Sequence, residues 1–104
     1  MLSDDSTYMV EMFSAFYGGN LEQVREYLEF YSASEEDNLG DILEFNSNLN
    51  WIRDRLERKS TNIELEFRLK VVESIVRDIL HHNRILLEKH SNNDSIDARL
   101  FYAA

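Results

Sequence analysis

At 104 residues, 43% of them apolar and 12% aromatic, the chain is long enough to close one modest core and too short for a second domain. It has no cysteine, which excludes disulfides, thiolate catalysis and Cys-based zinc sites. The net charge of −9 is lopsided: residues 1–44 carry eleven acids against one base, Arg25, whereas residues 45–104 carry nine acids and ten bases.

No proline occurs and only three glycines do, a composition that favours long helices separated by capped turns. The first helix is predicted from about Ser6 to Tyr17, with Met9, Met12, Phe13 and Phe16 on one face and Gly18-Gly19 as its stop. Asn20 precedes Gln23 by three residues, a capping arrangement that opens a second helix bearing Leu21, Val24, Tyr27, Leu28 and Tyr31. After Ser32-Ala33-Ser34 a third helix is expected to start at Ser34, because Glu35, Glu36 and Asp37 suit the positive end of a helix dipole. Its stripe of Leu39, Ile42, Phe45, Leu49, Ile52 and Leu56 ends among Arg53, Arg55, Arg58 and Lys59, where cations are favoured.

Thr61 and Glu64 form a second capping pair before the fourth helix, predicted over about Asn62 to Lys89. Leu65, Leu69, Val72, Val76, Ile79, Asn83, Leu86 and His90 step by fours and threes along it, a heptad seam. Asn83 and His90 on this apolar seam read as satisfied polar groups that set register. Helices three and four, at about 1.5 Å per residue, extend roughly 35 to 45 Å, further than two short helices cover. Leu65, Leu69, Val72, Val76, Ile79, Asn83 and Leu86 are therefore candidate self-association residues, with a homodimer as the implied assembly. Ser91 to Ser95 reads as a loop, and Ser95 to Tyr102 as a last turn or tail with Leu100, Phe101 and Tyr102 at its tip. The expected fold is all-α: a single domain over 1–104, a small helical bundle with two short amino-terminal helices and a long antiparallel helical hairpin.

Met1-Leu2-Ser3-Asp4-Asp5 has neither the basic nor the apolar region of a secretory signal, and no apolar run is long enough to cross a bilayer. The expected location is cytoplasmic, without membrane contact. Neither a Gly-x-Ser-x-Gly elbow nor a glycine-rich phosphate loop is present, and no cofactor or metal is implied. Asp78, His81 and His82 share one helix, and candidate ligands from a single helix do not make a metal site.

Two sets of residues carry functional readings. In Val76-Arg77-Asp78-Ile79-Leu80-His81-His82, the spacing of Arg77, the polar Asp78 and His82 resembles the motif of the HEPN ribonucleases, an all-helical group with a composite active site across a dimer. That resemblance implies Arg77 as the group stabilising phosphate charge and His82 as acid or base, with Asp78 in the polar slot. The other set is acidic and aromatic. Tyr8, Met9, Met12, Phe13, Phe16, Tyr17, Tyr27, Phe30 and Tyr31 are too many for two short helices to hide, so some of Tyr8, Tyr17, Phe30 and Tyr31 should be exposed beside carboxylates.

Glu26, Glu29, Glu35, Glu36, Asp37 and Asp41, with Tyr27 and Tyr31, are thus the candidate partner-binding residues. A surface this negative repels nucleic acid and attracts basic proteins. The expected function is that of a protein-binding module rather than an enzyme, an antagonist that occupies a basic, nucleic-acid-handling surface as immunity proteins, antitoxins and phage anti-defence proteins do. The alternatives are a HEPN-like ribonuclease and a structural oligomerisation subunit.

Overall fold

The computed structural model describes residues 3–93, with side chains over 7–91. Four helices follow one another: α1 (Ser3–Gly18), α2 (Leu21–Glu29), α3 (Leu39–Lys59) and α4 (Ile63–Asn93). No strand occurs among the described residues, and α3 and α4 pack as a hairpin, so the all-α bundle is the observed fold. The longest helix, α4, is the common support: α3 runs back along it, α2 also packs on it, and α1 packs on α2.

Each boundary has a local cause. α1 ends in a Schellman turn, with Asn20 N–H bonded to Ala15 C=O at 2.9 Å, Gly19 N–H to Phe16 C=O at 3.2 Å, and Gly19 at φ +82°. Arg68 of α4 reaches the same end and donates to the carbonyls of Phe16 (3.1 Å) and Tyr17 (2.8 Å), placing a cation on the negative pole of α1. The predicted cap of α2 forms, since the Asn20 side chain accepts from Gln23 N–H at 3.2 Å.

Several predicted boundaries are displaced: α1 begins at Ser3 and not Ser6, and α2 ends at Glu29, before Tyr31. The third helix does not begin at Ser34. Asp37 turns back instead and accepts both the backbone N–H (2.8 Å) and the hydroxyl (3.2 Å) of Ser34, closing a separate turn over 34–37. Asn38 then caps α3 by accepting from Asp41 N–H at 2.8 Å. The fourth helix is capped by Asn62, which accepts from Leu65 N–H at 2.9 Å, and not by Thr61; a better-suited amide stands one residue later. Finally, Ser91 to Asn93, read as loop, continue α4. The remainder of that predicted loop and the tail to Tyr102 lie outside the described residues.

The main core takes Met12 and Phe16 from α1, Val24 and Leu28 from α2, Leu49, Ile52 and Leu56 from α3, and Leu69, Val72, Val76 and Ile79 from α4. Each fully buried aliphatic side chain of this set contributes about 1.5–3 kcal/mol. Beyond the reach of α1 and α2, a lesser cluster of Ala33, Ile42, Leu86 and Leu87 closes the far end of the hairpin. It exists because the segment from Tyr31 to Asn38, the strap joining α2 to α3, is held down on α4.

Asn83 holds it. Fully buried, its carbonyl accepts from Ala33 N–H at 2.8 Å, and its amide donates to Tyr31 C=O (3.0 Å) and to the Asn46 side chain (2.8 Å). Both its donors and its acceptor are thereby used. His82, the preceding residue, sets Nε2 2.7 Å from Ala33 C=O. A carbonyl can only accept, so Nε2 carries the proton. Consecutive residues of α4 therefore hold both backbone groups of Ala33.

An apolar near-isostere at position 83 would leave Ala33 N–H and Tyr31 C=O buried without these partners. We expect Asn83→Leu to cost about 2–4 kcal/mol, read from the denaturant midpoint, and Asn46→Ala about 1 kcal/mol because Asn46 is only half-buried. A loss below about 1 kcal/mol for Asn83→Leu would mean the strap holds without its clamp.

Candidate functional site

α2 is short and strongly two-faced. Val24 and Leu28 enter the core, while Glu22, Glu26 and Glu29, spaced by four and three, stand exposed on the outer side as one acidic strip. The strap and the first turn of α3 extend the acidic surface with Glu35, Glu36 and Asp41, all exposed. Among the described residues, Glu26, Glu29, Glu36 and Asp41 make no ion pair. Glu35 is bonded to Lys89 near the carboxyl end of α4, and Asp37 is half-buried and committed to its Ser34 turn.

An aromatic ridge lies between α1 and the end of α2. Because α2 stops at Glu29, Phe30 takes the cap position and stacks on Tyr8, with ring centroids 4.6 Å apart at 23°, and Tyr8 meets Tyr27 edge-on at 5.7 Å. Tyr8 and Phe30 remain 37% and 47% exposed, so the stacked pair is accessible. Tyr27 is half-buried; its hydroxyl donates to the Glu11 carboxylate and accepts from Gln23 Nε2 at 3.1 Å. The bond to Glu11, helped by partial burial, pushes the Tyr27 pKa above the ordinary phenol value.

The sequence-predicted set is therefore divided. Glu26, Glu29, Glu35, Glu36 and Asp41 share the acidic surface. Tyr31 does not belong to it: only 4% exposed, it points into the core edge-on to Phe30 and Phe45. The reason is phase: Tyr31 stands seven residues after Val24 and three after Leu28, and so follows the apolar side of α2 and not the side that carries Glu22, Glu26 and Glu29. Sequence reasoning had Tyr8 and Phe30 among the aromatics due for exposure but did not place them in the binding set, and it passed over Glu22. Helical spacing from Glu26 and Glu29 was the available signal for Glu22; the Tyr8–Phe30 stack depends on how α1 lies against α2, which no local pattern encodes.

The other predicted residues are placed elsewhere. Arg77 lines a cleft between α3 and α4 with Arg53, Asp54, Glu57, Glu73 and Leu80. His82 is bonded to the strap, and Asp78 is exposed. Five positions on a helix turn through about 140°, so Arg77 and His82 are not brought together within the chain. Leu69, Val72, Val76, Ile79, Asn83 and Leu86 of the seam are buried inside this one chain, and Leu65 is half-buried at its end. Among the described residues no three His, Asp or Glu side chains are grouped to hold a metal ion. No described helix is long and apolar enough to cross a membrane.

Compared with known proteins, the chain matches no family model, no curated protein and no solved structure.

The Glu35–Lys89 pair gives the acidic surface a pH signature. The hydrogen bond and charge of Lys89 hold the Glu35 carboxyl below its ordinary range. A depressed folded-state pKa means the pair contributes stability above the unfolded-state value and loses it as pH falls through the folded-state value. Both side chains are largely exposed, so the effect on stability is small. A carbon-detected NMR titration of Glu35 should show the low pKa, and Lys89→Met should return it to the ordinary range. An unchanged pKa in Lys89→Met would assign the depression to another cause.

Proposed function

We propose that this chain is a protein-binding module that docks its acidic and aromatic face, formed by α2, the strap and the start of α3, on a basic surface of a partner protein. The observation that supports this most is the Tyr8–Phe30 stack, more than a third exposed, beside the carboxylates of Glu26 and Glu29, which make no ion pair among the described residues. Stacked rings give contact area with little further loss of side-chain entropy, and the surrounding acids give long-range attraction and select for cations. The acids also repel phosphate, so the natural target is a surface that itself handles nucleic acid, and occupying it would block that activity. This is the working principle of an inhibitor or antagonist of the immunity, antitoxin or anti-defence type.

The test is affinity capture from the host lysate with tagged wild type beside the triple variant Glu26→Lys, Glu29→Lys, Glu36→Lys, followed by binding measurements on the captured protein. A basic nucleic-acid-handling protein should be retained by wild type, released by moderate salt and displaced by its nucleic acid. The triple variant should bind at least about tenfold more weakly with a flatter salt dependence, and Phe30→Ala should weaken binding at every salt concentration. Equal capture by wild type and the triple variant would reject the reading.

A further inference from the structure

The buried α4 seam leaves the question of self-association to other surfaces, and one has the pattern of a two-fold contact. The outer side of α3 presents Glu44, Trp51 and Arg58 at intervals of seven, two helical turns apart and on one face. All three are exposed, Trp51 by 49%. Among the described residues neither Glu44 nor Arg58 has an ion-pair partner. The tryptophan leans on Phe13 of α1 at 6.1 Å between ring centroids, and Arg55 lies 5.8 Å from its centroid. Val10 and Tyr17, 64% and 43% exposed, flank Phe13 at helical spacing on α1 and continue the apolar surface.

We propose that this face of α3 is a homodimer interface in which two copies pair antiparallel about a two-fold axis at Trp51. In that register Trp51 meets Trp51, Glu44 of each copy faces Arg58 of the other, and Ser47 faces Arg55. An isologous contact requires a patch complementary to itself under reversal, and an acid seven residues before a central aromatic with a base seven residues after it satisfies that requirement. The parallel alignment would set Glu44 against Glu44 and Arg58 against Arg58, so the charges select orientation while Trp51 and the neighbouring α1 side chains supply buried area. Because the two-fold closes on itself, the product is a dimer and not a filament. The paired residues adjoin the acidic surface at Asp41, three residues before Glu44, but include none of the acids of α2 or the strap, so the dimer would present those acids twice.

Trp51 is the sole tryptophan of the chain, which makes its fluorescence a direct reporter. Sedimentation across the micromolar range should give twice the 12.3 kDa chain mass at the upper end, with tryptophan emission shifting to the blue as the dimer forms and reverting at high salt. Glu44→Arg and Arg58→Glu should each weaken the dimer about tenfold or more, and the double exchange should recover most of that loss. Trp51→Asp should be monomeric with unchanged far-ultraviolet dichroism. A monomer at every concentration with invariant emission would overturn the proposal, as would a dimer indifferent to Trp51→Asp. If Trp51→Asp fails to fold, the charge exchange decides: a double variant no better than the single ones also overturns it.

Discussion

The structure depends on how Asn83 ties the α2–α3 strap to α4. A 31-residue helix is too long for α1 and α2 to cover, and beyond their reach its apolar side would be open to water. The strap supplies the missing cover, but it is non-helical backbone whose polar groups must be satisfied if it is to lie on an apolar surface. Asn83 and His82 satisfy those of Ala33, and Asn83 also takes up Tyr31 C=O and the Asn46 side chain of α3. One amide thereby links three elements at the junction of the main core and the lesser cluster around Ile42 and Leu86. A half-satisfied polar group in that place would be worse than none, which is why the network is complete.

The clamp also organises the surface. With Ala33 fixed, Ser34 to Asp37 closes its own turn, Glu36 is held outward, and Glu35 comes within reach of Lys89. On the preceding side, the chain leaves α2 in a direction that buries Tyr31 and leaves Phe30 against Tyr8. A face meant for recognition benefits from this arrangement, since side chains already fixed by the fold lose little further entropy on binding.

Charge is distributed to match. The acids are gathered on α2, the strap and the start of α3, and the bases gather at the end of α3, so a single helix passes from a negative to a positive end. This polarity agrees with the α3 macrodipole, acid near its amino end and base near its carboxyl end, and so stabilises the helix locally. The same polarity makes α3 complementary to its own reversed copy. Two properties at different levels therefore follow from one charge pattern.

Much of the architecture was legible in the sequence because it is written in local and periodic signals. Helix number, the Gly19 stop, the Asn20 cap and the core stripes of α3 and α4 follow from backbone chemistry and the 3.6-residue repeat, and Asn83 stood out as the polar member of an apolar seam. The boundaries at Asn38 and Asn62 were missed by a few residues because Ser, Thr, Asp and Asn compete for the same backbone N–H groups and tertiary contacts decide among them. What the sequence by itself determined is the helical content, the apolar faces and the concentration of negative charge in the first 44 residues. The tertiary structure alone decided which partner filled the α4 seam and that Asn83 and His82 clamped the strap at Ala33. Those outcomes depend on contacts between residues some fifty positions apart, such as Ala33 with Asn83, and a helical repeat carries information only about neighbours a few residues away.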